Sequence, residues 1–222
     1  MVQNFITEVL SFSGCPYYWC INCNKEIQHA ISESFNMNGL SLSAGFIILA
    51  AIIAVLSYLS TKKQTAHNTA VPLTCASMVL GMGLGGFADG IVLHQILQWH
   101  EMLSNKFPPE TLLYKSVNMF WDGIFHAFTL LATIIGVCLL WKLMLRDNIN
   151  KSGFLLSGGL LTGWGIFNMA EGILNHQILK LHNVREFSPH HDLWNYGFLL
   201  FGVTLILAGW LFIRRGKLIN SV

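Results

Sequence analysis

Charge is the scarcest property of this sequence. Only 11% of its 222 residues are Asp, Glu, Lys or Arg, and 53% are hydrophobic. Soluble domains carry about 25% charged residues. Mean hydropathy is +0.53. The shortage of charge excludes an ordinary soluble domain and identifies an all-α integral membrane protein. The net charge of +2, with no basic cluster, gives no footprint for nucleic acid. The first residues, MVQNFITEVLSFSG, lack the charged and long apolar regions of a signal peptide, so the segment is expected to be retained.

Several chemical signatures are also missing. There is no G-x-S-x-G, which leaves serine-type nucleophilic catalysis without support. There is no C-x-x-C-H, so covalently attached haem is not expected. The H-x-x-H-H boxes of membrane hydroxylases do not occur. The string GMGLGG at 81–86 matches G-x-G-x-x-G, but it lies inside an apolar run with no strand before it, so the dinucleotide reading fails.

Apolar runs, by contrast, are abundant. A membrane helix needs about 20 mainly apolar residues. Five such spans are expected, at about 40–60, 71–98, 117–143, 153–181 and 193–213. This divides the chain into an extramembrane tail, 1–39, and a five-helix membrane domain, 40–222. Pro72 opens the second span, where its missing N–H costs nothing. Eight Lys and Arg residues fall in 61–69, 142–152 and 214–222, and the other five are spread over longer segments of the opposite side. The positive-inside rule then places the N-terminus outside and the C-terminus in the cytoplasm.

The chain contains an internal repeat. Residues 88–100 read ADGIVLHQILQWH, and residues 170–182 read AEGILNHQILKLH. Eight of these thirteen positions are identical, which is too many for two unrelated apolar helices to share by composition. Asp89 pairs with Glu171, His94 with His176, Gln95 with Gln177 and His100 with His182. Phe120-Trp121-Asp122 likewise matches Leu193-Trp194-Asn195. The duplicated unit is therefore two helices, the second and third spans and then the fourth and fifth. Parallel repeats of this kind are related by a pseudo-twofold axis along the membrane normal. The expected packing is an antiparallel four-helix bundle, with the first span on its flank. Glycines at 81, 85, 86, 90, 159, 163 and 165 supply the small surfaces that let membrane helices approach closely.

The repeat carries the chemistry. Ionisable groups in hydrocarbon are costly, so their presence is a functional-site hypothesis. Asp89, His94, Asp122, His126, Glu171 and His176 all fall in the outer half of the expected bundle, and they are the candidate metal ligands. Asp122 and His126, at i,i+4, share a helix face. Gln95, Gln177, His100, His182, His190, His191 and Asp192 surround this zone as supporting or access-route candidates. Carboxylate and imidazole are the usual ligands of zinc, iron, copper and manganese. One obstacle stands out. Asp89 and His94 are i,i+5, about 140° apart on an ideal helix, and meet only if a kink or π-bulge intervenes at Gly90. Asp89 and His100 share a face but lie about 16 Å apart along it.

Rival readings remain. His94 and His176 could ligate one haem b, although carboxylates have no part in that. The polar groups could form an interhelical hydrogen-bond network without metal, or line a path for a small transporter. A metal centre could serve a redox or hydrolytic enzyme, or a metal-handling accessory of a respiratory membrane complex.

The tail reads GCPYYWCINC at 14–23. Cys15, Cys20 and Cys23 could form a disulfide or bind a soft metal. Residues 24–36 read as a short amphipathic helix, with Ile27, Ile31 and Phe35 facing the membrane surface. Cys75 and Cys138 sit in apolar runs and are expected simply to pack there.

The segments GFADGIVLHQILQWHEMLS (86–104) and WDGIFHA (121–127) resemble a family of bacterial predicted membrane proteins of uncharacterised function. The resemblance extends over roughly 40–215. It implies a multi-pass protein of the bacterial inner membrane and assigns no activity.

Overall fold

The computed structural model describes Ile21 and residues 24–62 and 69–219, with the side chains of 37–44 and 219 left aside. Cys15, Cys20 and Cys23 lie outside the described residues, and the disulfide and soft-metal readings with them. Five α-helices and two π-helical segments make up the described chain. They are α1 (Lys25–Thr61), α2 (Val71–Ala88), π1 (Asp89–Ile96), α3 (Leu112–Met144), α4 (Gly153–Glu171), π2 (Gly172–Ile178) and α5 (His191–Ile219). Local sequence explains their starts. Asn24 accepts hydrogen bonds from the Glu26 and Ile27 amides to cap α1, and Thr111 and Ser152 cap α3 and α4 through Tyr114 and Phe154. Pro72 sits in the first turn of α2.

Among the described residues, three helices are long and apolar enough to cross a membrane: Val71–Ile96, Leu112–Met144 and His191–Leu218. The apolar part of α1, Gly45–Thr61, is shorter. The outer face of α5 leaves Leu193, Leu200, Leu207 and Leu211 exposed, a largely apolar surface suited to lipid.

The packing differs from a closed four-helix bundle. Helix contacts run in the order α3, α2, α4, α5, with α2 and α4 at the centre and α1 against α2 and α3. The central pair is parallel. A Cβ added at Gly81 would collide with the Leu160 backbone, and one at Gly163 with the Met78 backbone. Met78 and Leu160 are themselves repeat-equivalent, so the two contacts are one contact made twice. Only glycine admits this approach. The outer helices lie antiparallel to the inner ones, with Gly83 against Thr133 and Gly165 against Ile206.

The tail helix also differs from expectation. Residues 24–36 form no separate surface helix, because α1 runs unbroken from Lys25 to Thr61. Ile27 and Ile31 are fully buried in the core. Phe35 packs on Trp121 with ring centroids 4.6 Å apart. The Trp121 Nε1–H donates to Ser34 Oγ at 2.9 Å. The apolar face seen in the sequence is real, but it is buried against α3 rather than laid on lipid.

Candidate metal centre

The site is assembled by two changes of helix type. α2 turns into π1 at Asp89, and α4 turns into π2 at Gly172. A π-helix bonds residue i to i+5. The i,i+5 pairs that an α-helix would hold apart are therefore stacked over one another. His94 Nε2 lies 3.3 Å from Asp89 Oδ2, and His176 Nε2 lies 3.5 Å from Glu171 Oε1. Both π segments end alike. The Leu97 amide donates to the Val92 carbonyl and the Leu179 amide to Leu174, each at 2.8 Å. Gln98 and Lys180 then adopt left-handed backbone, with φ of 48° and 49°. That conformation is unusual for a side-chain-bearing residue, and here it turns both chains back over the helix ends at repeat-equivalent positions.

The returning loops cross. His100 Nδ1–H donates to the Val184 carbonyl at 2.8 Å, and His182 Nδ1–H donates to the Met102 carbonyl at 3.0 Å. The Met102 amide donates to Asp122 Oδ1 at 3.0 Å, and the Val184 amide to Asn195 Oδ1 at 2.9 Å. Each loop thus takes its imidazole's anchor from the other repeat. His94 is anchored by a side chain instead, since its Nδ1–H donates to Asp122 Oδ1 at 2.9 Å.

These anchors fix the tautomers. A ring whose Nδ1–H is committed presents an Nε2 lone pair when neutral. Three such rings and one carboxylate converge. Ligand atoms of His94, His100, Glu171 and His182 all lie within 4.8 Å of one another, and all four residues are buried. The His100 and His182 rings are stacked at 8°, with centroids 4.6 Å apart. His94 meets His100 at 4.3 Å, and its repeat mate His176 meets His182 at 4.8 Å. Burial, with His94 and His182 alongside, holds the His100 imidazole well below its ordinary pKa and hence neutral.

The cluster is internally unsatisfied. Among the described residues, both carboxylate oxygens of Asp89, Nε2 of His94 and of His100, Oε2 of Glu171 and both ring nitrogens of His176 are buried without a hydrogen-bond partner. His182 Nε2 lies within hydrogen-bonding distance of Glu171 Oε1, at 3.1 Å, so this pair alone of the four ligand residues is satisfied internally. Unpaired buried polar atoms are few in native proteins and call for an explanation such as an ion.

A family model described as predicted membrane protein (DUF2243) matches residues 76–216. The chain belongs to this family. No curated protein and no solved structure matches it.

The DUF2243 segment holds every residue of the cluster, and the remaining candidates named from the sequence divide clearly. His94 and Glu171 are in the group of four, with Asp89 beside His94 and His176 beside Glu171. Asp122 reaches the cluster only through His94, because its carboxylate is occupied by His94 Nδ1 and the Met102 amide. His126 points its Nδ1–H back at the Asp122 carbonyl, 2.6 Å away on the same helix, and is not in the group of four. His100 and His182, placed at the periphery by sequence, lie at the centre. Gln95 contacts Asp122 Oδ2 at 3.5 Å from an exposed position, and Gln177 is half-buried. His190 and Asp192 are exposed, and His191 bonds the Arg185 carbonyl at 3.1 Å.

Sequence reasoning missed a polar layer above the cluster. Glu101 is buried against Lys115, and Ser104 donates to Glu186 Oε1 at 2.8 Å. Burial raises the Glu101 carboxyl pKa, and the Lys115 ammonium opposes the rise. With His100, these residues line a cavity of about 530 Å3 on the loop side. Its only signal in the sequence was an acid directly following the repeated histidine.

Proposed function

We propose that this DUF2243 protein binds a transition metal between its two repeats, with His94, His100, His182 and Glu171 as ligands. Asp89 and His176 are the remaining donors, enough for a second ion beside the first. Asp122 orients His94 in the manner of a carboxylate–histidine–metal arrangement. The observation that carries the reading is the set of three imidazole nitrogens and a carboxylate oxygen gathered within 4.8 Å in a buried site, where His94 Nε2, His100 Nε2 and Glu171 Oε2 have no hydrogen-bond partner. Metal–nitrogen bonds of about 2.0–2.2 Å would draw these donor atoms closer than their present spread of up to 4.8 Å. The donor set suits zinc, iron, manganese or copper.

A purely structural network explains the site less well, because such a network normally satisfies its own members. Haem b explains it less well too. His94 lies 5.8 Å from His182, and His176 lies 6.0 Å from His100, ring to ring, so the two proposed axial ligands have other imidazoles packed against them. The polar cavity beside His100 offers an aqueous route for the ion. A multi-pass placement in the bacterial inner membrane with five spans, N-terminus outside, puts that cavity on the outer side. There the centre would serve either as a small enzyme's metal or as part of a metal-handling accessory of a membrane complex.

Elemental analysis with an absorption spectrum of the detergent-purified protein tests the reading. One or two equivalents of a transition metal without a Soret band support it. A Soret band moves the assignment to haem. Absence of metal after reconstitution rejects it.

A further inference from the structure

The two repeats are unequal in one respect that bears on the site. The surface beside Glu171, lined by Ala170, Glu171 and Leu174, is covered by Gly45, Phe46 and Leu49 of α1, which leave a cavity of only about 20 Å3. The repeat-equivalent surface beside Asp89, lined by Ala88, Asp89 and Val92, has no covering helix among the described residues. A cavity of about 550 Å3 stands there instead. That is within the usual size range of small-molecule sites.

Its walls are aromatic, from Trp99, Trp164, Trp194 and Phe198. Trp99 and Trp194 meet edge to face at 5.1 Å, and the Arg185 guanidinium lies over both rings at 5.2 and 5.1 Å. The wall is therefore held rigid. Two polar residues interrupt it. Asp89 is 5% exposed and Asn168 is 2% exposed. Asp89 Oδ1 and Asn168 Oδ1 are buried with no hydrogen-bond partner. Both are acceptors, so the missing partner is a donor. Gly197 and Phe201 of α5 line the cavity, and Phe201 is exposed along with Leu193 and Leu200 of the same helix.

We propose that this groove binds a lipid-soluble phenol of the hydroquinone type, entering from the bilayer. The aromatic ring packs among the tryptophans, the hydroxyl groups donate to Asp89 and Asn168, and the alkyl tail leaves past Gly197 toward lipid. The proposal goes beyond the metal reading and does not require it, although Asp89 would place the ligand's head beside the metal centre.

The test is equilibrium binding of a radiolabelled decyl hydroquinone to the full chain in lipid nanodiscs, with metal content measured on the same samples. Decylbenzene, which has the tail and ring without the hydroxyls, is the control. A Cβ at Gly197 meets nothing within 4 Å, so Gly197→Phe should fold and fill the groove. The expected result is saturable binding of the hydroquinone, at least about tenfold weaker binding of decylbenzene, at least about tenfold weaker hydroquinone binding by Gly197→Phe, and severalfold weaker binding by Asn168→Leu. Metal content should be unchanged in both variants. Equal binding by Gly197→Phe, or equal binding of decylbenzene, overturns the proposal. Retained hydroquinone binding in a protein that takes up no metal would instead count against the metal reading alone.

Discussion

His182 Nε2 stands 3.1 Å from Glu171 Oε1 while its Nδ1–H is spent on the Met102 carbonyl of the other repeat. Nε2 is therefore the one ring nitrogen left to meet the carboxylate, and the metal reading places a cation where a proton would otherwise bridge the pair. This makes His182 as central to the site as the acid itself. His182→Ala should remove at least one metal equivalent or weaken binding by more than 100-fold, measured by metal competition with a chromogenic chelator. His126→Ala, four residues from Asp122, should leave the affinity unchanged. Equal losses in the two variants would contradict the assigned ligand set.

Asp122 touches the cluster through His94, whose Nδ1–H it accepts. Asp122→Asn keeps its size and one acceptor but loses the charge that fixes the His94 tautomer. About 10–100-fold weaker metal binding is expected, with the ligand count unchanged. Loss of a whole ligand from the coordination shell would show that Asp122 binds the ion directly.

The Gly81–Leu160 and Gly163–Met78 contacts are repeat-equivalent. Gly81→Leu and Gly163→Leu should therefore destabilise the protein alike, each by about 1–3 kcal/mol or more from overpacking, and both should lower metal loading by separating α2 from α4. Thermal unfolding in detergent reads the first effect and elemental analysis the second. A large loss in only one variant would argue against the paired contact.

Ser34→Ala leaves the buried Trp121 N–H without its acceptor, at a cost of about 1–3 kcal/mol. The effect should be local, as faster hydrogen exchange in the first turns of α1. Unchanged exchange there would mean that the Ser34–Trp121 bond does not hold α1 to α3.

His100 gives the pH dependence its sign. Burial depresses its folded-state pKa below the ordinary value of about 6.5. Below pH about 6.5 the unfolded chain takes up a proton that the folded chain refuses, so stability of the metal-free protein declines as pH falls. His100→Asn should flatten that decline in unfolding scans between pH 7.5 and 5.5. A wild-type midpoint that is constant or rises toward acid would contradict it.

Much of this site could be read in the sequence because it is written there twice. The paired Asp89/Glu171, His94/His176 and His100/His182 identified the zone, and the i,i+5 spacing of Asp89 and His94 left a kink or a π-bulge as the way for them to meet; π1 is that bulge, and π2 repeats it. The roles within the zone were less legible. Whether His100 or Asp122 faces the cluster depends on loops 97–111 and 179–190 crossing to the opposite repeat, a long-range pairing with no periodicity. His126 and Asp122 share a helix face, and only the Met102 amide and His94 decide which carries the useful contact. The tail was misjudged because burial against α3 and burial in lipid select the same Ile27, Ile31 and Phe35 pattern. The parallel α2–α4 core was implicit in the glycines, but not which neighbour they face.

A coordination shell of imidazole and carboxylate has a direct signature in X-ray absorption at the metal edge of the loaded protein. The expected spectrum has a nitrogen and oxygen shell at about 2.0–2.2 Å, with multiple scattering from at least the three imidazoles of His94, His100 and His182. A sulfur shell at about 2.3 Å, or a porphyrin pattern, would contradict it and move the metal to the tail cysteines or to haem.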